Sequence, residues 1–145
     1  MTQLVLSARA GRTALSSHLA ALDVYPGQDA VLLALGWEDG LSLRDLAERL
    51  SVRPPTITKT IARLASQAIV EKRPSPADAR QNHAFLTEKG QALVQDVRAA
   101  QKAVEREALK GLSDKERKTL RKLLQRVERN LSADIGDGDD LEEPA

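Results

Sequence analysis

The sequence predicts a mainly α fold with a small β-hairpin wing, a winged helix-turn-helix joined to a helical dimerisation region. Three observations predict it. Residues 42–87 read in order as a capped helix, a tight turn, a second helix opening on Pro54-Pro55, and two short strands around a proline-marked tip. Only 2% of the 145 residues are aromatic while 41% are apolar, so Leu, Ala and Val must fill the core, which suits helices better than sheets. The outer segments carry narrow apolar seams that a small helix-turn-helix core is too short to cover.

The first helix spans residues 2–22, with a seam of Leu4, Ala8, Leu15, Leu19 and Leu22 that Gly11 and Arg12 interrupt. Tyr25-Pro26-Gly27 breaks the chain and sets Pro26 near the next helix start. That helix holds Ala30, Leu32, Leu33, Leu35 and Trp37, is apolar almost all round, and is expected at the centre of the core. Ser42, with Asp45 three residues on, opens a third helix whose inner face is Leu43, Leu46, Ala47 and Leu50. After a turn at Ser51-Val52-Arg53, Pro54-Pro55 opens a helix over 54–66 that buries Ile57, Ile61 and Leu64.

Ile69-Val70-Glu71-Lys72-Arg73 and His83-Ala84-Phe85-Leu86 then read as strands flanking a loop at 74–78. Thr87 caps a long helix to about Lys110, seamed by Leu93, Val97, Ala100, Val104 and Ala108 and stopped by Gly111. Ser113 and Glu116 form a capping box for a last helix with Leu120, Leu124, Val127 and Leu131 at heptad-like spacing. The leftover seams of the first and last two helices predict a homodimer, because one self-complementary surface covers each of them twice.

Net charge is only +1, yet its distribution is uneven. From Arg53 to Lys89 there are seven Lys/Arg against three acids, whereas 134–143 holds six acids and no base. The basic middle points to a polyanion partner, and the Gly/Asp/Glu-rich end at 134–145 is expected to be a disordered tail. The chain has no cysteine, which excludes disulfides and thiolate metal sites. Two separated histidines make no metal cluster, and neither a nucleophile–base motif nor a phosphate loop is present, so the composition argues against an enzyme and against any cofactor. No run nears the roughly 18 apolar residues of a membrane span, and no cleavable apolar leader opens the chain, so the expected location is the cytoplasm.

A major groove about 12 Å wide admits a helix. The outer face of 54–66 offers Pro55, Thr56, Thr58, Lys59 and Arg63, with Arg53 in the preceding turn near the backbone. Thr58 and Lys59 are the strongest base-edge candidates. From the hairpin, Arg73, Ser75 and Gln81 join the candidate DNA-binding set. The plain alternative is a solvated polar face, with Asp78 and Arg80 merely paired across an exposed loop.

The stretch from Leu46 to Lys59, the motif Asp78-Ala79-Arg80 followed after five residues by Leu86-Thr87, Thr87-Glu88-Lys89-Gly90 and Gln28 after Pro26-Gly27 resemble the MarR family of transcriptional regulators over about residues 4–132. The resemblance implies a triangular homodimer: residues 1–24 and 87–133 as helical dimerisation region, 25–86 as winged helix-turn-helix, and 134–145 as tail. It implies that Arg80 enters the minor groove and that Asp78 braces the wing. It also implies a sequence-specific regulator, expected to be a repressor on a pseudo-palindromic double-stranded DNA operator. A winged-helix module that binds protein and no DNA is the competing reading. Two departures stand out. Ser51 and Ala68 occupy positions where relatives often carry Gly, and Gln81-Asn82-His83 is less basic than many relatives show, which predicts fewer phosphate contacts and a modest salt dependence.

Relatives often respond to phenolic or aromatic anions held between the DNA lobe and the dimer helices. Arg12, on an apolar seam, with His18, Tyr25 and Trp37, is the matching candidate set for a small-molecule effector. The competing expectation is that Trp37 and Tyr25 fill core and His18 is exposed.

Overall fold

The computed structural model describes residues 1–136, which form six helices and one hairpin: α1 Gln3–Ala20, α2 Gln28–Trp37, α3 Leu43–Arg49, α4 Pro54–Ser66, β1 Val70–Pro74, β2 Asn82–Leu86, α5 Glu88–Ala108 and α6 Asp114–Gly136. Contacts divide the chain into a first unit of Met1–Arg106 and a second beginning at Glu107. The tail expected at 134–145 lies outside the described residues from 137 onward, and α6 runs into its first three positions.

The core of the first unit is aliphatic. Leu32 and Leu35 of α2, Leu46 of α3, Ile57, Ile61 and Leu64 of α4, and Val94 and Val97 of α5 are fully buried together. On α5 the seam residues Val97 and Ala100 are buried as expected, Leu93 and Val104 are half-buried and Ala108 is exposed, and Val94 joins the buried face. α1 continues through Gly11 and Arg12, which break the apolar seam without breaking the helix.

The caps are those the sequence writes. Ser42 Oγ accepts from the Asp45 N–H at 3.0 Å and starts α3. Thr87 Oγ1 accepts from the Gly90 N–H at 3.1 Å and starts α5. In the second unit Ser113 and Glu116 bond reciprocally: the Glu116 N–H donates to Ser113 Oγ at 3.2 Å and the Ser113 N–H to Glu116 Oε2 at 3.1 Å. Two donors that the helix would leave unsatisfied are thereby paired.

Both departures from glycine adopt the left-handed backbone, with φ of 52° at Ser51 and 59° at Ala68. Each closes a helix by the same pair of bonds. The Ile69 N–H donates to Leu64 O and the Ala68 N–H to Ala65 O after α4; the Val52 N–H donates to Ala47 O and the Ser51 N–H to Glu48 O after α3. The hydrophobic residue that follows, Val52 or Ile69, turns inward, and this fixes the exit direction. The termination motif is therefore intact and the chain carries its strain. Ala68→Gly is expected to raise the unfolding free energy by about 1 kcal/mol in a chemical denaturation, since glycine meets no Cβ penalty there. An unchanged or lowered midpoint would show that Ala68 is not strained.

The wing is a two-stranded antiparallel hairpin, with Val70 opposite Leu86 and Arg73 opposite His83. Two strands alone are marginal in water. The segment after α2 supplies the missing support. The Ala84 N–H donates to Leu41 O at 2.9 Å, the Gly40 N–H donates to Ala84 O at 3.0 Å, and Asp39 Oδ1 accepts from the Leu86 N–H at 2.8 Å. His83 Nδ1 lies 2.8 Å from Gly40 O.

One expectation is overturned. Trp37 and Tyr25 are not core: Trp37 is 84% exposed and Tyr25 60%. The helix α2 meets α5 through Gly36, where an added Cβ would lie 2.8 Å from Val94 Cγ1. That close approach leaves the α2–α5 seam no room for an indole. The ring of Trp37, the last residue of α2, stays outside, 5.9 Å from the Arg98 guanidinium carbon. Tyr25 sits in the turn before α2 and lines a surface cleft, while His18 is exposed as expected.

Candidate nucleic-acid interface

The helix α4 is held from three sides. Its inner residues Ile57, Ile61 and Leu64 are at most 2% exposed, α3 packs against it, and its C-terminus is tied to β1 through Ile69. Helical geometry then fixes what faces outward. Pro55, Thr56, Thr58, Lys59, Ala62 and Arg63 are all exposed. At spacings of three and four these residues form two stripes. Pro55, Thr58 and Ala62 make one, and Thr56, Lys59 and Arg63 the other. Arg53 is the N-cap, in extended conformation, beside the start of both.

The wing tip is built by short polar bonds. Asp78 Oδ1 accepts from the Arg80 N–H at 3.0 Å, Asp78 O accepts from the Gln81 N–H at 3.0 Å, and the Ser75 N–H donates to Gln81 O at 2.8 Å. Ser75 Oγ accepts from the Ala77 N–H at 3.3 Å. Asp78 thus shapes the loop through its backbone neighbours and forms no ion pair with Arg80 among the described residues. The Arg80 guanidinium has no protein partner among the described residues, so its five donors are left for solvent or a ligand.

The cations divide by state. Arg53, Lys59, Arg63, Lys72 and Arg80 are exposed and make no ion pair among the described residues. Arg73 differs: it bonds Glu71 Oε2 at 3.2 Å and its guanidinium carbon stands 4.4 Å from the Phe85 ring centroid. Of the expected set, Arg53, Pro55, Thr56, Thr58, Lys59 and Arg63 share α4 and its cap; Ser75, Asp78, Arg80 and Gln81 share the wing tip; Arg73 is engaged in holding the hairpin. Lys72 and Ala62 were not singled out from the sequence. Helical spacing from Thr58 identifies Ala62, and a basic strand residue beside Arg73 was the available signal for Lys72.

The four candidate effector residues do not share one cavity. Tyr25 lines a cleft of about 420 Å³ with Gln28, Pro55, Thr56, Lys59 and Arg63. Arg12 lines another of about 520 Å³ with Leu15, Ser16, Leu19 and Asp29. His18 and Trp37 line neither.

Comparison with known proteins agrees with this geometry. A sequence model of the MarR family matches residues 26–81, the stretch from the turn before α2 to the wing tip. An HTH-type transcriptional regulator of Mycobacterium tuberculosis is 37% identical over 94 residues, which cover 65% of this chain and 66% of that protein, about two thirds of its length. A crystal structure of MarR superposes with a TM-score of 0.80 at 24% identity over 92% of this chain and 91% of that one. A mutant MarR from E. coli complexed with operator DNA superposes with a TM-score of 0.76 at 27% identity, covering 86% of this chain and 89% of that one.

Proposed function

Because the chain belongs to the MarR family of transcriptional regulators, we propose that it binds double-stranded DNA as a homodimer and represses transcription from a pseudo-palindromic operator. The observation that carries the reading is the set of exposed cations without an ion-pair partner on the outer face of α4 and at the wing tip, above all Lys59, Arg63 and Arg80. Solvated cations held by a rigid scaffold suit phosphate oxygens and guanine edges. The family's members are regulators rather than enzymes.

The homodimer rests on apolar surface. Leu4, Val5 and Leu6 of α1 are 44–46% exposed, and Leu123, Leu124 and Leu131 of α6 46–59%. A second copy would cover both stripes. It would also set two α4 helices on one DNA face, about 34 Å apart for half-sites one helical turn apart. Sedimentation at micromolar concentration should give twice the mass of one chain. Release by a small aromatic anion is the regulatory part of the reading, supported by Arg12 in its cleft. A phenolic carboxylate should weaken DNA binding by the native protein and do so less with Arg12→Ala.

The test is affinity for fragments of the source genome as salt is raised. A bound fragment should lose affinity linearly in log salt, by about 0.9 per phosphate contact. Equal, salt-indifferent affinity for every fragment would instead support a protein-interaction module.

A further inference from the structure

Thr58 Oγ1 donates to the Pro54 carbonyl at 3.1 Å. Its hydroxyl proton is therefore committed to the helix, and the group left facing outward is a methyl with an acceptor lone pair. Thr60 is bound in the same way, to Thr56 O at 2.9 Å. Pro54 and Pro55 carry no N–H. The first turn and a half of α4 thus presents few fixed hydrogen-bond donors. Along one edge Pro55, Thr58 and Ala62 line up as a pyrrolidine ring and two methyls, all exposed. The donors stand on the neighbouring stripe, at Lys59 and Arg63.

We propose that Pro55, Thr58 and Ala62 form an apolar reading edge for thymine 5-methyl groups, and that Thr58 is the specificity-determining residue within it. This rests on the DNA-binding reading above. In the major groove only the A·T pair carries a methyl. A threonine with a free hydroxyl can read several base edges, whereas one bonded back to its own helix must give up that bond to donate to guanine O6 or N7. Guanine is left to Lys59 and Arg63 on the other stripe.

The experiment selects bound sites from a random-sequence DNA pool with the full-length protein. Each thymine of the best site is then replaced by deoxyuridine, which removes the methyl and keeps every hydrogen-bonding group. The native protein should lose affinity at one or more positions per half-site, by about fourfold for each methyl withdrawn from contact. Thr58→Ser, which keeps the hydroxyl, should lose that sensitivity at one position, and Thr58→Val, which keeps the methyl, should retain it. Native indifference to every deoxyuridine, or undiminished discrimination by Thr58→Ser, overturns the proposal while leaving DNA binding intact. Failure of the native protein to enrich any sequence overturns the DNA-binding reading itself, and this proposal with it.

Discussion

Gly90→Ala is expected to lower the unfolding free energy by about 3 kcal/mol, because a methyl placed there overpacks against rigid backbone. Gly90 is buried near the start of α5, and a Cβ built on it would lie 2.1 Å from the Ile69 carbonyl oxygen. Nothing at that point can give cheaply. The same carbonyl accepts from the Thr87 N–H at 3.1 Å, Thr87 Oγ1 donates to the adjacent Ala68 O at 2.6 Å, and Ile69 is the residue that turns the chain from α4 into β1. Lys89 Nζ adds a bond to Gln67 O at 2.9 Å across the same junction. Relief of the clash requires α5 to move off the end of α4, breaking these bonds and opening the packing of Val94 and Val97. For a chain of this length such a loss lowers the thermal midpoint by roughly 10 °C.

The control is the other glycine inside a helix with open space around it. Gly11 lies within α1, and its added Cβ meets nothing within 4 Å. Gly11→Ala should therefore stabilise the isolated chain by about 0.5–1 kcal/mol through helix propensity alone. Opposite signs from one chemical change would tie the Gly90 effect to the carbonyl above it. A loss below 1 kcal/mol at Gly90 would mean that the junction is looser than its geometry implies.

The contrast between those glycines shows where sequence reasoning stops. Capping chemistry is local, and the serine and acid spacings at Ser42 and Ser113 place their helices without help from the rest of the chain. The boundaries of α4 follow from Pro54-Pro55 at one end and the inward Ile69 at the other, and its buried triplet follows from period alone. Trp37 does not follow. Its residue type and place in an apolar helix argue for burial, but the close approach of Gly36 to α5 is tertiary and keeps the ring in water. At the candidate interface, residue types and helical spacing identified the outer face of α4, and the resemblance identified the wing arginine. Which cations are occupied was not legible. Only the structure shows that Arg73 is engaged by Glu71 and Phe85, that Asp78 spends its carboxylate on the Arg80 backbone, and that the Thr58 hydroxyl bonds the Pro54 carbonyl.

That division of the cations sets the last expectation. Arg80→Ala should weaken binding to a selected DNA site by about 10- to 100-fold, and Lys59→Ala by a similar factor, the usual worth of a specific guanidinium or ammonium contact. In the proposed homodimer each change removes two contacts, so the upper part of the range applies. The two should differ in kind. In the proposed complex Arg80, at the wing tip, would meet the minor groove and act mainly through backbone charge and groove width. Its loss should therefore depress affinity for selected and unrelated DNA nearly alike and make the salt dependence shallower. Lys59 stands on the outer face of α4, which in the proposed complex would reach guanine edges, so its loss should narrow the gap between selected and unrelated DNA. Arg73→Ala provides the internal comparison. Its guanidinium already holds Glu71 and the Phe85 ring, so its removal should disturb hairpin stability more than DNA affinity. If Arg73→Ala instead weakened binding as much as Arg80→Ala with no change in thermal midpoint, Arg73 would be a contact residue and the partition into free and engaged cations would be wrong. Equal affinity of all three variants and the native protein would remove α4 and the wing from the interface altogether.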